Sequence, residues 1–493
     1  MLADAPSRIC LTSDVWTACT YEGYICLTAH FIDADWRLNS FVLSFIVPPP
    51  HTGIELANKV LNLLNEWGIG KKIFSLTLDN ASNNDNMQDT LRGLLRSDLL
   101  CGGEFFHIRC CAHILNLIVR EGMKVVNVTL SKVRQSVKYV KASESRTILF
   151  EGCVKIVSLE MGVHLKLDVT TRWNSTYLML ESALKYRDAF HRLSLTDKNY
   201  IFLPSDEEWA RTEKMLNFLR PFYEITKLIS GSSYPTSNLY FVEVWKIECL
   251  LLSNMDNEDT VKKEMVKEMK RKFDKYWNEY SVVLALGAVL DPRFKFQFLE
   301  MCYNRVNPDS AFEKLNHVRE KLNALFEQYS KNENVVSSSS TSHEHGRSSS
   351  SQLLPSTLDT YDLTDVFKMF DSQVVNKAGK NQLEIYLDES KLEWSQFQSL
   401  DVLNYWKDNK YRFPDLARMA SDVLSIPITT VASESAFSIG ARVLNKYRSC
   451  LLPKNVQALL CARNWFFGFP DIDEDEVETV EDPPSEIGSN TGV

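Results

Sequence analysis

The 493-residue chain reads as an α/β protein: a small mixed sheet at the start, then a long helical remainder. Three observations predict this. Residues 8–47 hold three runs of β-forming side chains, around Ile9-Cys10-Leu11, from Tyr24 to Ile32 and from Leu38 to Val47. Short turns separate them and Pro48-Pro49-Pro50 stops the last, the pattern of an antiparallel meander. The hydrophobic period then alternates. Ile54, Ala57, Val60, Leu61, Leu64 and Trp67 recur at helical spacing and close at Gly68-Ile69-Gly70. A short buried strand follows at Ile73–Leu78, then a helix over 84–99 and a strand over 105–110. From 111 to 332, and again from 362 to 467, the pattern is helical.

Composition bounds the function classes. No apolar run approaches the roughly 20 residues of a membrane span, and the first residues form no secretory signal, so the expectation is an intracellular protein without a membrane. The 11 cysteines are scattered, which favours free thiols in a reducing compartment. The net charge of −9 equals the nine acidic residues between Asp471 and Glu486, so the rest of the chain is near neutral. Overall acidity therefore argues neither for nor against nucleic-acid binding, which depends on local basic patches. The charged stretch 264–277 reads as a solvated helix face. Residues 337–351 are Ser-rich and expected to be disordered, as is the acidic tail.

Three acidic residues stand in telling contexts. Asp14 lies in Leu-Thr-Ser-Asp-Val-Trp-Thr, Asp79 ends the run Ile73–Leu78, and Glu434 lies in Ser-Glu-Ser-Ala-Phe-Ser. The first two read as strand carboxylates and the third as a helix carboxylate. An RNase H-like core needs that set to hold two Mg²⁺ or Mn²⁺ ions, because hard cations take oxygen ligands and flank a phosphodiester in pairs. The order βββ-α-β-α-β fits the same core, whose fourth strand pairs parallel to the first and would bring Asp79 beside Asp14. The bland alternatives are a surface strand-end Asp14, an Asp79 that accepts N–H bonds before the next helix, and a Glu434 favoured by a helix dipole.

Six blocks, taken in order, resemble the hAT transposase superfamily, most of all its domesticated plant group called RICESLEEPER and DAYSLEEPER. They are Leu11–Thr17, Leu78–Asn84, the Cys-Cys-Ala-His-Ile-Leu-Asn-Leu run from Cys110, Thr-Arg-Trp-Asn-Ser-Thr at 171–176, Leu-Asp-Pro-Arg-Phe-Lys at 290–295, and Ser433–Ser438 with the helix to Trp465. The resemblance implies an RNase H-like core (1–110) split after its fifth strand by an all-α insertion (111–335). A linker (336–360), a C-terminal dimerisation region completing the core (361–470) and the tail (471–493) follow. It implies Asp14, Asp79 and Glu434 as catalytic metal ligands. Arg172 would hold a DNA phosphate. Trp173 would either stack on a base or pack inside with the arginine against it. Cys110 and His113 would brace the site rather than bind zinc, since only one Cys-x-x-His spacing is present. The implied partners are DNA and a second copy, in the nucleus. The family's BED zinc finger does not occur in the chain, and Ser435 stands where many members have arginine. The expectation is thus a derivative that dimerises and binds DNA in a regulatory role. The alternative is a metal-dependent DDE transposase that cuts and joins DNA.

Overall fold

The computed structural model describes residue 2 and residues 4–17, 23–47, 52–159, 164–277, 281–330, 380–393, 400–444 and 451–469. The Ser-rich linker and the acidic tail fall outside the described residues. Five strands form one sheet: β1 (Ile9–Thr17), β2 (Gly23–Ile32), β3 (Leu38–Ile46), β4 (Ile73–Leu78) and β5 (His107–Arg109). Their order is β3-β2-β1-β4-β5. The first three pair antiparallel, while β4 lies parallel to β1 and β5 parallel to β4. This is the arrangement expected from the alternation of periods.

Period-two alternation divides the sheet into two faces. One carries Ile9, Leu11, Leu27, Leu76 and Leu78, which pack against α1 (Gly53–Glu66) and α2 (Ser82–Leu95). Sequence spacing carried α2 on to residue 99. The helix instead ends at Leu95, and a tight turn follows in which Cys101, Gly102 and Gly103 all take positive φ. Leu99 still reaches the same core from that turn. The strand expected over 105–110 is correspondingly trimmed to His107–Arg109.

The other face is unusual. Cys10, Thr12 and Asp14 of β1 alternate onto it, with Cys26, Thr28 and His30 as their partners on β2. The C-terminal helices Pro414–Leu424 and Val431–Val443 cover it. Gly440 lets the second of these sit close to β3, since a Cβ there would stand 3.0 Å from the Phe45 ring. The terminal helix Pro453–Phe467 closes the β3 edge. Asn464 Oδ1 accepts the Val42 N–H at 2.8 Å, and Trp465 Nε1 donates to the Val42 carbonyl at 2.9 Å. Side chains thus take the place of a further strand, leaving that stretch of edge unable to template another chain.

Between the two halves of the core, helices run from α3 (Cys111–Val125) to Pro308–Ser330. Most cations of the Thr260–Trp277 helix pair with acids on the same or adjacent helices, among them Arg271 and Lys272 with Glu121, as a solvated face requires.

One buried acid joins all three parts. Asp422 accepts the Arg8 N–H at 2.7 Å and the Tyr329 hydroxyl at 2.6 Å. Burial pushes its carboxyl up to about 6, against the pull of Tyr329 and Arg8. A folded-state value above the unfolded 3.8 means that the folded protein holds a proton longer. Its stabilising effect is complete below about pH 4 and is lost as pH rises through 6. Asp422→Asn should flatten this part of the stability curve, by up to roughly 3 kcal/mol across the window. Chemical denaturation at pH 4, 5, 6 and 7 checks it; parallel wild-type and variant curves would refute it.

Candidate active site: a carboxylate-lined strand edge

Asp14 lies near the C-terminal end of β1, and Asp79 directly follows β4. The parallel register aligns Thr12 with Thr77, so two residues further on the chain sets Asp14 beside Asp79. Asp79 Oδ1 accepts the Ala81 N–H at 3.0 Å and the Asn84 amide at 2.5 Å, which fixes the carboxylate at the entry to α2. It therefore has the N–H-accepting role that turn chemistry suggested, at the strand end where a ligand would stand.

Glu434 arrives from far along the chain, in the first turn of Val431–Val443. The segment before that helix is pinned at three points. Thr77 donates to the Pro427 carbonyl at 2.7 Å, the Cys111 N–H donates to Ile428 O at 2.9 Å, and Thr430 donates from its N–H and its hydroxyl to the Cys110 thiol at 3.4 Å each. Cys110 is buried between the end of β5 and the start of α3. His113, one turn into α3, is half-buried.

Electrostatics shows that the three acids share one neighbourhood. Burial pushes the Asp14 carboxyl up to about 8, with the Glu434 and Asp79 charges adding to it and Arg172 opposing. Glu434 pairs with Arg172 at 3.7 Å, both groups part-exposed. Among the described residues, no three His, Cys, Asp or Glu side chains already close around one point as a metal cage would. Each carboxylate instead rests on a protein partner. The donor chemistry nevertheless fits a divalent cation: three carboxylates gathered at one strand edge, one of them held back from ionising by burial and, further, by the charges of the other two.

Arg172 caps the Trp173–Lys185 helix at the rim of this edge. Trp173 does not join it. Its ring is 2% exposed and packs edge-on to Tyr177, so the packing role is the one it takes and the base-stacking assignment is corrected. The reason is geometric, since an N1 position points the ring back into the helical core while Arg172 before it stays outside. Asn116, inside the Cys-Cys-Ala-His-Ile-Leu-Asn block, holds the pair in place. It donates to Thr171 O and accepts the Trp173 N–H, both at 3.1 Å. Sequence reading passed over Asn116, although three residues after a noted histidine on a helix is the same face.

Comparison with known families places this geometry. The ZBED1 RNase-like domain matches residues 12–105, the ZBED1 RNase-like helical domain 108–218, and the hAT family C-terminal dimerisation region 382–466. A description of a hAT-like transposase with RNase-H fold matches 238–329, a stretch whose described residues are mostly helical here. Among similar proteins, zinc finger BED domain-containing protein RICESLEEPER 2 of Oryza sativa subsp. japonica is 36% identical over 94% of this chain and 66% of its own length. RICESLEEPER 4 of the same organism is 33% identical over 94% of this chain and 71% of its own. A putative AC transposase of Zea mays is 35% identical over 94% of this chain and 57% of its own. The chain thus spans somewhat under two thirds of the length of several relatives that it matches. With the split core, the returning acid helix and the dimerisation region all in family order, the chain belongs to the hAT transposase family.

Proposed function

We propose that this chain is a transposase-derived protein that self-associates through its C-terminal region and binds DNA at the edge carrying Asp14, Asp79 and Glu434. The observation that carries the reading is that Asp14 lies within reach of the charges of both Asp79, from a neighbouring strand end, and Glu434, from a helix some 420 residues further along the chain. The family's RNase-H-like domain points in general terms to a divalent cation, and Mg²⁺ or Mn²⁺ is the ion proposed for Asp14, Asp79 and Glu434. Such an ion, when bound, supplies charge stabilisation to a phosphodiester. The chain's own part is to gather and orient. Asn84 and the Ala81 N–H aim Asp79, the Cys110 brace seats Glu434, and Arg172 turns from Glu434 to a backbone phosphate. Nuclear placement goes with a DNA partner and is proposed with it. No helix among the described residues is long and apolar enough to cross a membrane.

Regulatory binding without cutting is the first reading. Cutting and joining is the second, favoured by the presence of all three carboxylates. Incubating the protein with supercoiled plasmid and Mn²⁺ separates them: nicking that Glu434→Gln abolishes establishes the second, and retarded but intact plasmid the first. If no plasmid is bound at about 50 mM salt, where phosphate contacts are strongest, both fall.

The metal assignment makes its own prediction. Asp14→Asn removes a carboxyl that burial, and then the neighbouring charges, disfavour, and should raise the melting point of the metal-free protein. The same change should remove most of the further rise that Mn²⁺ gives wild type, worth about 2.7 kcal/mol at a hundredfold excess over Kd. Thermal unfolding with and without Mn²⁺ measures both effects. Equal Mn²⁺ shifts in the two proteins would refute the assignment.

For self-association, the proposed contact is the outer face of the terminal helix. Leu452, Leu459 and Phe466 are all exposed there and recur every seven residues, with Asn455 and Ala462 between them. Apolar positions spaced three and four apart along one face form a seam for a second helix.

A further inference from the structure

The polar face of the sheet contains a continuous line of buried hydrogen bonds that the metal reading does not use. Ser40 Oγ meets His30 Nδ1 at 2.6 Å, and His30 Nε2 meets Thr28 Oγ1 at 3.1 Å. Thr28 meets the Thr12 hydroxyl, and Thr12 meets Ser433 Oγ at 2.9 Å. Thr12, Thr28 and Ser433 are 0% exposed and His30 is 5% exposed. The line crosses β3, β2 and β1 and ends on the helix that carries Glu434. One end residue, Ser433, adjoins Glu434, and Thr12 precedes Asp14 by two on the same face of β1.

We infer that Ser40, His30, Thr28, Thr12 and Ser433 form a strut that sets the Val431–Val443 helix against β1, making His30, Thr12 and Ser433 positioning residues for the carboxylate site. The inference rests on the carboxylate-site reading for its purpose but not for its existence.

Three physical points support it. A neutral imidazole has one N–H and one lone pair, and burial keeps His30 neutral by pushing its value down to about 3. Each hydroxyl likewise gives one bond and can take another. The line can therefore run in either direction with every member satisfied, but it fails as a unit when one member is lost. The neighbouring contacts of the same helix are different in kind. Ala436, Phe437 and Ile439 meet Tyr24, Cys26, Val42 and Phe45 through apolar surface, which is non-directional and permits sliding. The strut is where the helix acquires a defined rotation, and a rotation of one residue would carry Glu434 about 100° away from Asp14.

The experiment compares wild type with Thr12→Val and Ser433→Ala, the conservative variants Thr12→Ser and Ser433→Thr, and Ser44→Ala as control. Ser44 is equally buried in the same sheet, but its hydroxyl has no partner among the described residues. Hydrogen exchange read on peptides covering 431–443 needs no metal. Thr12→Val and Ser433→Ala should each speed exchange there about tenfold, as loss of one buried hydrogen bond implies, and leave peptides of α3 unchanged. The double variant should go no further than either single one. Thr12→Ser and Ser433→Thr should restore slow exchange, and Ser44→Ala should not change it. Mn²⁺ affinity, read by titration, should weaken and recover in the same pattern. Exchange like wild type in both hydroxyl-deleting variants, equal acceleration across the whole chain, or no rescue would overturn the strut. Should wild type fail to bind Mn²⁺, the metal reading falls while the exchange data still decide the strut. Should Mn²⁺ affinity stay constant while exchange behaves as expected, the strut stands as a structural element and its positioning role is overturned.

Discussion

Lys295→Met should destabilise the protein by about 3 kcal/mol and release the first part of the C-terminal region before the rest unfolds. Lys295 is 2% exposed, an uncommon place for an ammonium. Its Nζ donates to Tyr386 O at 2.7 Å and to Glu389 O at 2.9 Å and stands 4.3 Å from the centre of the Tyr386 ring. These acceptors belong to the helix Gln382–Asp388 and its end, across from Lys295 in sequence by about ninety residues. The backbone bends to make the contact, since Lys295 takes φ 51, a left-handed value that costs roughly 1–2 kcal/mol for a residue with a Cβ.

The residues around it dock the same region. Trp406 Nε1 donates to Leu290 O at 2.9 Å, the Tyr386 hydroxyl donates to Val289 O at 3.0 Å, and the Leu392 N–H donates to Pro292 O at 3.2 Å. Asp291 is fully buried, and Arg293 grips it with Nε and Nη2 while the Asn238 amide donates to it at 2.8 Å. That grip holds the loop in shape. Methionine matches the lysine stem in bulk but leaves two buried carbonyls unpaired, each costing about 1–3 kcal/mol, with some return from no longer burying a charge. Limited proteolysis should find new cuts within 380–393 and 400–409 in the variant at temperatures where wild type resists. An unchanged melting point and digestion pattern would refute this account of Leu-Asp-Pro-Arg-Phe-Lys.

That motif shows where sequence reading stops. Its likeness to a family block was visible, but its partners were not, because Tyr386 and Trp406 look like ordinary core aromatics in the sequence. Asp14 and Asp79 were legible for a physical reason: each interrupts or ends an apolar strand, and parallel pairing of β1 with β4 follows from the order of the elements. Glu434 was legible as a helix carboxylate, but its place beside Asp79 came only through resemblance, because no local signal connects the two. Arg172 and Trp173 were indistinguishable as neighbours in a string, and one residue of helical rotation sends one to the rim and the other into the core. The His30 strut was hidden for a different reason. Thr12, Thr28 and His30 are β-compatible side chains in strands that otherwise read as apolar, and only the registers Thr12↔Thr28 and Cys10↔His30 bring them into line.

Phe466→Asp should convert a self-associating protein into a monomer without unfolding it. Phe466 is 82% exposed and Phe467 79% exposed, beside a half-exposed Trp465 whose ring meets Trp67 edge-on at 5.9 Å. An exposed apolar group of this size, contiguous with Leu459 and Leu452, is the kind of surface that soluble proteins keep for a partner. The partner proposed is a second copy, because the family's dimerisation region ends at residue 466 and includes this helix. A two-fold contact would set the stripe against itself, with Ala462 permitting close approach of the helices and Asn455 favouring one register. The inner face is already committed to β3 through Val456, Leu460, Asn464 and Trp465, so the variant leaves the fold's own contacts alone. Losing an aromatic anchor costs about 2–4 kcal/mol of association, and a buried carboxylate adds to that. Association should therefore weaken at least thirtyfold, while the melting point of the monomeric fold stays near that of wild type. Sedimentation velocity from 1 to 50 micromolar, on the order where protein dimers of this kind are resolved, measures it. A variant that still sediments as a dimer would move the interface to another face of residues 382–466, and a wild type that is monomeric throughout would refute self-association through this helix.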